Sequence, residues 1–379
     1  MRIEEIKSLF VKHKETRLFH RYIANKHILP LLLNFKKLID LETIGSSVLG
    51  EPIYGLKIGN GNKRVLMWSQ MHGNESTTTK ALFDLLNTLL DNELKHILEA
   101  CTLYIIPILN PDGANAYTRV NANEVDLNRD AQNLSQPESK VLRGVFNAFK
   151  PHFCYNLHGQ RTIFSAGKTN KLATVSFLAP AQDEICTITP TRKVAMEVIG
   201  VMNEALHEVI PNQIGVYDDA FNINCVGDSF QCKNVPTILF EAGHYHDDYE
   251  RESVRALIYI SYVSSLDYIS KTDVDGSLYE TYFKIPENGK CFLDVIIRNA
   301  EFNDDLLDIG IQYQERLIGN KVEFMPKVVK IEKLKENFGH IEIDAKGFKV
   351  LGDSNLVVDL DYENVFVIIN NEKIALFSK

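Results

Sequence analysis

From about Thr43 to Tyr268, short apolar runs alternate with longer segments whose apolar residues recur at helical spacing. Val65–Trp68 is followed by Thr78–Leu90, then Thr102–Leu109, Ser139–Phe149 and Phe153–Leu157. Val194–Val209 and Val254–Ile269 read as further helices, and Thr237–Phe240 as a buried strand. Buried strand followed by amphipathic helix predicts an α/β domain with a largely parallel or mixed central sheet. Near Lys271 the rhythm changes to short alternating segments: Tyr282–Ile285, Phe292–Ile297, Val322–Phe324, Phe348–Leu351, Leu356–Leu360 and Val365–Ile369. Turn-like Glu287-Asn288-Gly289 and Asn370-Asn371 separate them, which predicts a small antiparallel β domain. The expected division is residues 1–270 and 271–379, in keeping with a chain of 379 residues and with single cores that stop growing at about 250–300.

Composition narrows the function classes. Hydrophobic residues are 45% and charged residues 24% of the chain, the balance of a globular protein. The net charge of -9 carries no basic stripe, so nucleic acid is not an expected partner. The longest apolar stretches, around Ile28–Leu33 and Leu103–Leu109, fall far short of the roughly 20 residues that cross a bilayer, so membrane insertion is not expected. Met1–His13 is charged and amphipathic rather than signal-like, which predicts a cytoplasmic protein. The six cysteines have no Cys-x-x-Cys spacing and are expected as reduced, mostly buried thiols. The oligomeric state is left open.

Three apolar runs end in groups that carry chemistry. After Val65–Trp68 come His72-Gly73-Asn74-Glu75, an imidazole and a carboxylate three positions apart; in a helix-like turn such residues face the same way. They would stand beyond the carboxyl end of a strand, where open α/β sheets place their sites, although the pair also fits a surface turn. A catalytic zinc takes three protein ligands and keeps one position open, two His and one Glu being among the known sets. His158, closing Tyr155-Asn156-Leu157, supplies the third ligand unless it is an ordinary loop histidine. Metal-assisted hydrolysis also needs a base, and Glu241 ends the run Thr237–Phe240, where a carboxylate is costly to bury without a partner. Between these regions lie the turn Asn110-Pro111-Asp112-Gly113 and a polar segment with Arg119 and Arg129. One arginine suits an oxyanion and the other a free carboxylate, with structural salt bridges as the competing account.

Together these residues resemble the zinc carboxypeptidase family of carboxypeptidase A over roughly Thr43 to Tyr268. Ile44–Tyr54 is similar to the family's first strand pair, His72-x-x-Glu75 to its first two zinc ligands, and Asn110-Pro111-Asp112-Gly113 to its turn. Val125-Asp126-Leu127-Asn128-Arg129 is similar to its carboxylate-binding segment. The resemblance implies a mixed sheet with helices on both faces and one zinc ion held by His72, Glu75 and His158. It also implies that Asn128 and Arg129 hold the substrate's terminal carboxylate, that Arg119 polarises the carbonyl, and that Glu241 is the general base and later the acid. Tyr217 falls near the position of the mobile-loop tyrosine of the digestive enzymes, though Asp218-Asp219-Ala220-Phe221 departs from their pattern. Asp228 or Gly227 is expected near the pocket for the terminal side chain, and His244 and His246 are expected as solvent-facing loop residues.

The leading expectation is a metallocarboxypeptidase acting on a peptide with a free C-terminal carboxylate. The alternative is a deacylase of N-acyl amino acids of the aspartoacylase or succinylglutamate desuccinylase type, which shares the His-Gly-Asn-Glu turn and a C-terminal β domain. A binding protein that keeps the fold without turnover is the third reading, which protein purified without chelator and found to hold no zinc would favour.

Overall fold

The structure is a computed structural model that describes residues 1–36, 39–303 and 305–377. Two helices open the chain, α1 (Ile3–His13) and α2 (Asn25–Phe35), followed by strands β1 (Asp40–Ser46), β2 (Pro52–Ile58) and β3 (Lys63–Ser69). Then come α3 (Thr77–Leu90), α4 (Lys95–Ala100), β4 (Cys101–Ile106), α5 (Pro111–Ala116), α6 (Pro137–Phe149) and β5 (Phe153–Gly159). The α/β part continues through β6 (Ser165–Ala166), β7 (Val175–Leu178), α7 (Pro190–His207), β8 (Ile214–Val216), α8 (Val226–Gln231), β9 (Thr237–Ala242) and α9 (Glu252–Lys271). After it stand β10 (Asn288–Gly289), β11 (Phe292–Phe302), β12 (Asp305–Ile318), β13 (Lys321–Glu332), β14 (Phe338–Asp344), β15 (Val350–Leu351), β16 (Phe366–Ile369) and β17 (Glu372–Ala375).

Eight strands form the central mixed sheet in the order β1-β2-β4-β3-β5-β9-β7-β8. Its middle, β4-β3-β5-β9, is parallel. Strands buried on both faces read as continuous apolar runs, as Val65–Trp68 does. Side chains alternate across such a strand, and the two faces have separate cores. Val65 and Met67 pack with residues of α3 and α9 and with Tyr22 and Ile23. Leu66 and Trp68 pack on the opposite face with Leu127, Leu142, Phe146, Val226 and Phe230. Helices therefore cover both faces, as the sequence pattern and the resemblance imply.

The C-terminal segment is all β apart from a 3-10 helix. β13-β12-β11-β14 form one sheet and β15-β16-β17 another. β11, β12 and β13 pair antiparallel as expected, but β14 runs parallel to β11, because the chain crosses from β13 past both β12 and β11 before re-entering the sheet at its far edge. Two expected strands are absent. Tyr279–Lys284 is the 3-10 helix, with Tyr282 buried in the main core: four residues with one buried ring are too few to distinguish the two periods. Leu356–Leu360 makes only an isolated bridge at Val357, with Leu356 and Leu360 exposed. This β segment packs on the loops that follow β5 and β9. Gln312 Nε2 donates to Thr162 Oγ1 at 2.8 Å, Tyr249 Oη to Asp294 at 2.8 Å, and Arg21 reaches Glu315 at 2.8 and 2.9 Å. No helix among the described residues is long and apolar enough to cross a membrane. All six cysteines are free, two of them buried and four half-buried.

Candidate active site

The His-Gly-Asn-Glu turn and the Asn-Pro-Asp-Gly segment, expected as a turn but in fact the start of α5 with Asn110 as its N-cap, are built against each other. Directly after β3 the backbone of Gln70 adopts a positive φ of 45°, and Gln70 Nε2 donates to Gly73 O at 2.8 Å, closing the turn. A Cβ on Gly73 would lie 1.9 Å from the backbone carbon of Gly113, so only glycine admits the second turn at this distance. Asn110 Oδ1 accepts from Gly113 N at 2.9 Å and its Nδ2 donates to Met71 O at 3.2 Å. Two motifs that are separate in sequence are thus one structural unit, and it aims His72 and Glu75 over the ends of β3 and β5.

The Nδ1 atoms of His72 and His158 stand 3.0 Å apart. Glu75 spans both: Oε1 lies 2.9 Å from His72 Nδ1, and Oε2 lies 3.0 Å from His158 Nδ1 and accepts from Gly159 N at 2.9 Å. His72 Nε2 meets Asp126 Oδ1 at 3.0 Å, and Asn128 N donates to the same oxygen at 2.9 Å. In the neutral imidazole of His72, Asp126 favours the proton on Nε2, which makes Nδ1 the nitrogen available at the convergence point. Two imidazole nitrogens and a carboxylate facing one another at these distances make a donor set that a divalent cation satisfies, and His2Glu with a carboxylate behind one imidazole fits zinc.

The electrostatics follow from crowding. Burial opposes charge on His72, but the Glu75 charge and the bonds to Asp126 and Glu75 raise its imidazole to about 9. Burial lowers the His158 imidazole. Burial works against Glu75 as well, yet the two imidazoles hold its carboxyl well below the usual range. Glu241 lies beside His158 in the β5–β9 pair. Its Oε2 is buried with no partner among the described residues, and burial together with the Glu75 charge pushes its carboxyl well up. That is a carboxyl without a fixed partner, placed next to the triad.

The remaining expected residues line the same cavity of about 670 Å³. Arg119 is half exposed, with Nη1 3.2 Å from Glu75 Oε1 and Nη2 3.1 Å from Asp126 Oδ2. Arg129 Nη1 donates to Asn128 O at 2.9 Å and to Cys225 Sγ at 3.1 Å, and Asn128 Oδ1 accepts from Val226 N at 3.0 Å. Tyr217 follows β8, and burial first, then the Glu241 and Glu75 charges, raise its phenol strongly. Both Asp228 and Gly227 line the floor, with Asn156, Leu178, Pro180 and Leu239. A Cβ at Gly227 would come within 3.0 Å of Pro180 Cγ, so glycine keeps that floor open. Burial holds the Asp228 carboxyl at about 6.

One expectation is corrected. His246 is exposed, but His244 is 2% exposed, because His340 of β14 and Tyr249 cover it with ring centroids at 4.5 and 4.6 Å. Sequence reasoning also passed over Asp126 as a partner of His72, though it lies inside the quoted Val-Asp-Leu-Asn-Arg run. It gave no sign of Arg21, Arg251, Asp294, Gln312 or Glu315, which line the cavity from elsewhere in the chain.

Comparison with known proteins agrees with the resemblance read in the sequence. Residues 29–189 match the family model described as zinc carboxypeptidase. Carboxypeptidase SOL1 of Arabidopsis thaliana is 30% identical over 182 residues, covering 41% of this chain and 37% of that protein, so little more than a third of its length is matched. A solved structure assigned as a carboxypeptidase A, from Shewanella denitrificans OS-217, is 19% identical with a TM-score of 0.55 over 65% of this chain and 69% of that one. Carboxypeptidase A from Helicoverpa armigera is 14% identical with a TM-score of 0.50 over 72% of this chain and 81% of that one. At such identities the likeness of the structures is one of fold.

Proposed function

We propose that this chain, which has the zinc carboxypeptidase fold and the family's sequence pattern over residues 29–189, hydrolyses an amide bond next to a free C-terminal carboxylate. The observation that carries the reading is one cavity that brings together the His72, Glu75 and His158 donors, the unpartnered carboxyl of Glu241 and the guanidinium of Arg129. His72, Glu75 and His158 would hold zinc, which when bound supplies Lewis acidity and a lowered pKa for water. Glu241 takes the proton of the attacking water and returns it to the leaving amine. Arg119, already among the charges of Glu75 and Asp126, donates to the oxyanion as it forms. Asn128 and Arg129 hold the terminal carboxylate, and the terminal side chain enters the floor around Asn156, Gly227 and Asp228. Tyr217 closes over the bound substrate from the end of β8.

The deacylase reading uses the same centre. What favours keeping it is the wall that the C-terminal strands add to the cavity through Asp294, Gln312 and Glu315, which suits a short substrate.

Glu241→Gln tests the assignment. The variant is expected to bind zinc as the parent does while peptide hydrolysis falls by about 10²–10⁴. Metal analysis and a peptide-cleavage assay read the two quantities, and full activity in the variant refutes the role. A panel of peptides against N-acyl amino acids separates the two substrate classes.

A further inference from the structure

The cavity has a second cationic corner on the far side from Arg129. Asn128 and Arg129 sit over the sheet face covered by α6 and α8, beside Leu127 and Val226 of that core. Arg21 and Arg251 sit over the opposite face, flanked by Tyr22, Ile23, Val254 and Leu257 of the other core. The triad stands at the ends of β3 and β5, strands whose two faces carry these separate cores. A substrate whose C-terminal carboxylate is at Arg129 and whose scissile carbonyl is at the triad therefore directs its acyl half toward Arg21 and Arg251.

These two side chains are buried, 5% and 3% exposed, and they border the cavity. Arg21 Nη2 pairs with Glu315, and its Nη1 donates to Tyr249 O at 3.2 Å. Glu315 also accepts from Tyr117 Oη at 2.5 Å, so its charge is shared. Arg251 makes no direct salt bridge among the described residues, but the Glu315 charge acts on it as it does on Arg21, so the two guanidinium groups share one carboxylate. Its Nη1 goes to Ala242 O and its Nη2 to Gln160 O at 2.6 Å, the carbonyls just past Glu241 and His158. The Nε atoms of both arginines are buried without a partner. The neighbouring acids are committed elsewhere: Asp294 accepts from Tyr249, Gln312 and the Tyr313 amide, and Asp248 accepts from the first amides of α9. Two buried guanidinium groups that share one carboxylate keep a surplus positive charge, which is costly out of water, and an anion reaching them through the cavity offsets it.

We infer that Arg251, seconded by Arg21, binds a carboxylate carried on the acyl half of the substrate, so that the enzyme acts on substrates acidic on both sides of the scissile bond. The inference rests on the proposed function for the direction in which the substrate lies. The C-terminal strands take part in it, because Glu315 of β12 positions Arg21.

The test uses isosteric pairs, N-acetyl-Glu-Zaa against N-acetyl-Gln-Zaa, with Zaa varied over the natural residues. In the zinc-loaded parent kcat/KM is expected to favour the Glu peptide by at least about tenfold, the scale of a hydrogen bond to a charged group. Arg251→Gln brings the ratio near one by slowing the Glu peptide, and Arg251→Lys restores part of it. Zinc content and thermal melting establish that the variants are folded, and Arg21→Gln gives a second, smaller loss of the same preference. Parity in the parent, or a ratio untouched by both Gln substitutions, overturns the inference. Binding decides it independently of turnover. Calorimetry on the Glu241→Gln protein should show the Glu peptide tighter by a similar factor and the gap abolished by adding Arg251→Gln, whereas equal affinities overturn the inference. Absence of hydrolysis alone in the parent counts against the proposed function and leaves the binding result to judge this one.

Discussion

Asp126 touches no expected substrate atom, yet the geometry makes it the support of the metal site. Its Oδ1 lies 3.0 Å from His72 Nε2, and its Oδ2 lies 3.1 and 3.2 Å from Arg119. Asp126→Ala removes both contacts and leaves His72 free to rotate or to protonate at Nδ1, the nitrogen needed for zinc. Loss of a carboxylate behind a ligating histidine costs about 10–100-fold in metal affinity, or about 1.4–2.7 kcal/mol. That scale agrees with the roughly 1.5–3 kcal/mol of one hydrogen bond to a charged group. Asp126→Asn should behave differently. Its Oδ1 can still accept from His72 and from the Asn128 amide, so zinc affinity falls by less than about tenfold. Its Nδ2, however, faces Arg119 donor to donor, and kcat/KM drops through the loss of that arginine's position. Zinc dissociation constants from competition with a chromophoric chelator near neutral pH, together with steady-state kinetics, separate the two effects. Parental zinc affinity in Asp126→Ala refutes the reasoning, as does an Asn variant that binds zinc as poorly as the Ala variant.

Two further outcomes follow from the cavity floor and its rim. Arg129→Gln should raise KM by roughly 10–100-fold and change kcat much less, since it removes binding common to ground and transition states; steady-state kinetics on the best peptide would expose an effect confined to kcat. Burial holds the Asp228 carboxyl at about 6 against an ordinary 3.8, so the folded protein binds an extra proton between those values. Stability therefore declines as pH rises through that window, by about 3 kcal/mol at most, and Asp228→Asn should melt higher than the parent at pH ~8 but not below pH ~4. Melting curves that differ equally at both pH values would contradict this.

The inner strands and long helices of the α/β part were legible because each declares itself locally, whereas short elements such as α4, α5, α8, β7 and β8 do not. Val65–Trp68 is a continuous apolar run, Phe153–Leu157 and Thr237–Phe240 are apolar apart from Asn156 and Thr237, and all three are inner strands of the sheet. The β part was harder for a physical reason. Its sheets are small and partly solvated, so β12 carries Asp308, Gln312, Gln314, Glu315 and Arg316 among its apolar residues, and β14 alternates around His340 and Glu342. Neither strand was read from the pattern. Leu356–Leu360 stays outside the sheets because three of its four apolar side chains, Leu356, Val357 and Leu360, are exposed and only Val358 is buried.

The same distinction divides the candidate site. His72 and Glu75 share one turn, and His158 and Glu241 each end a strand, so their chemistry and their placement are written in the same few residues. Arg251 has neither advantage. It follows β9 in a loop of charged residues and is indistinguishable there from a solvated arginine; what makes it notable is burial under a segment more than 40 residues later in the chain. Arg21 pairs with a carboxylate 294 positions away. That two buried guanidinium groups share a single carboxylate cannot be seen in a sequence at all, since only folding brings the three together. If substrate selection lies in that surplus charge, the chemistry of this chain is local and readable, whereas the choice of what it acts on belongs to the tertiary contact between the α/β sheet and the C-terminal strands.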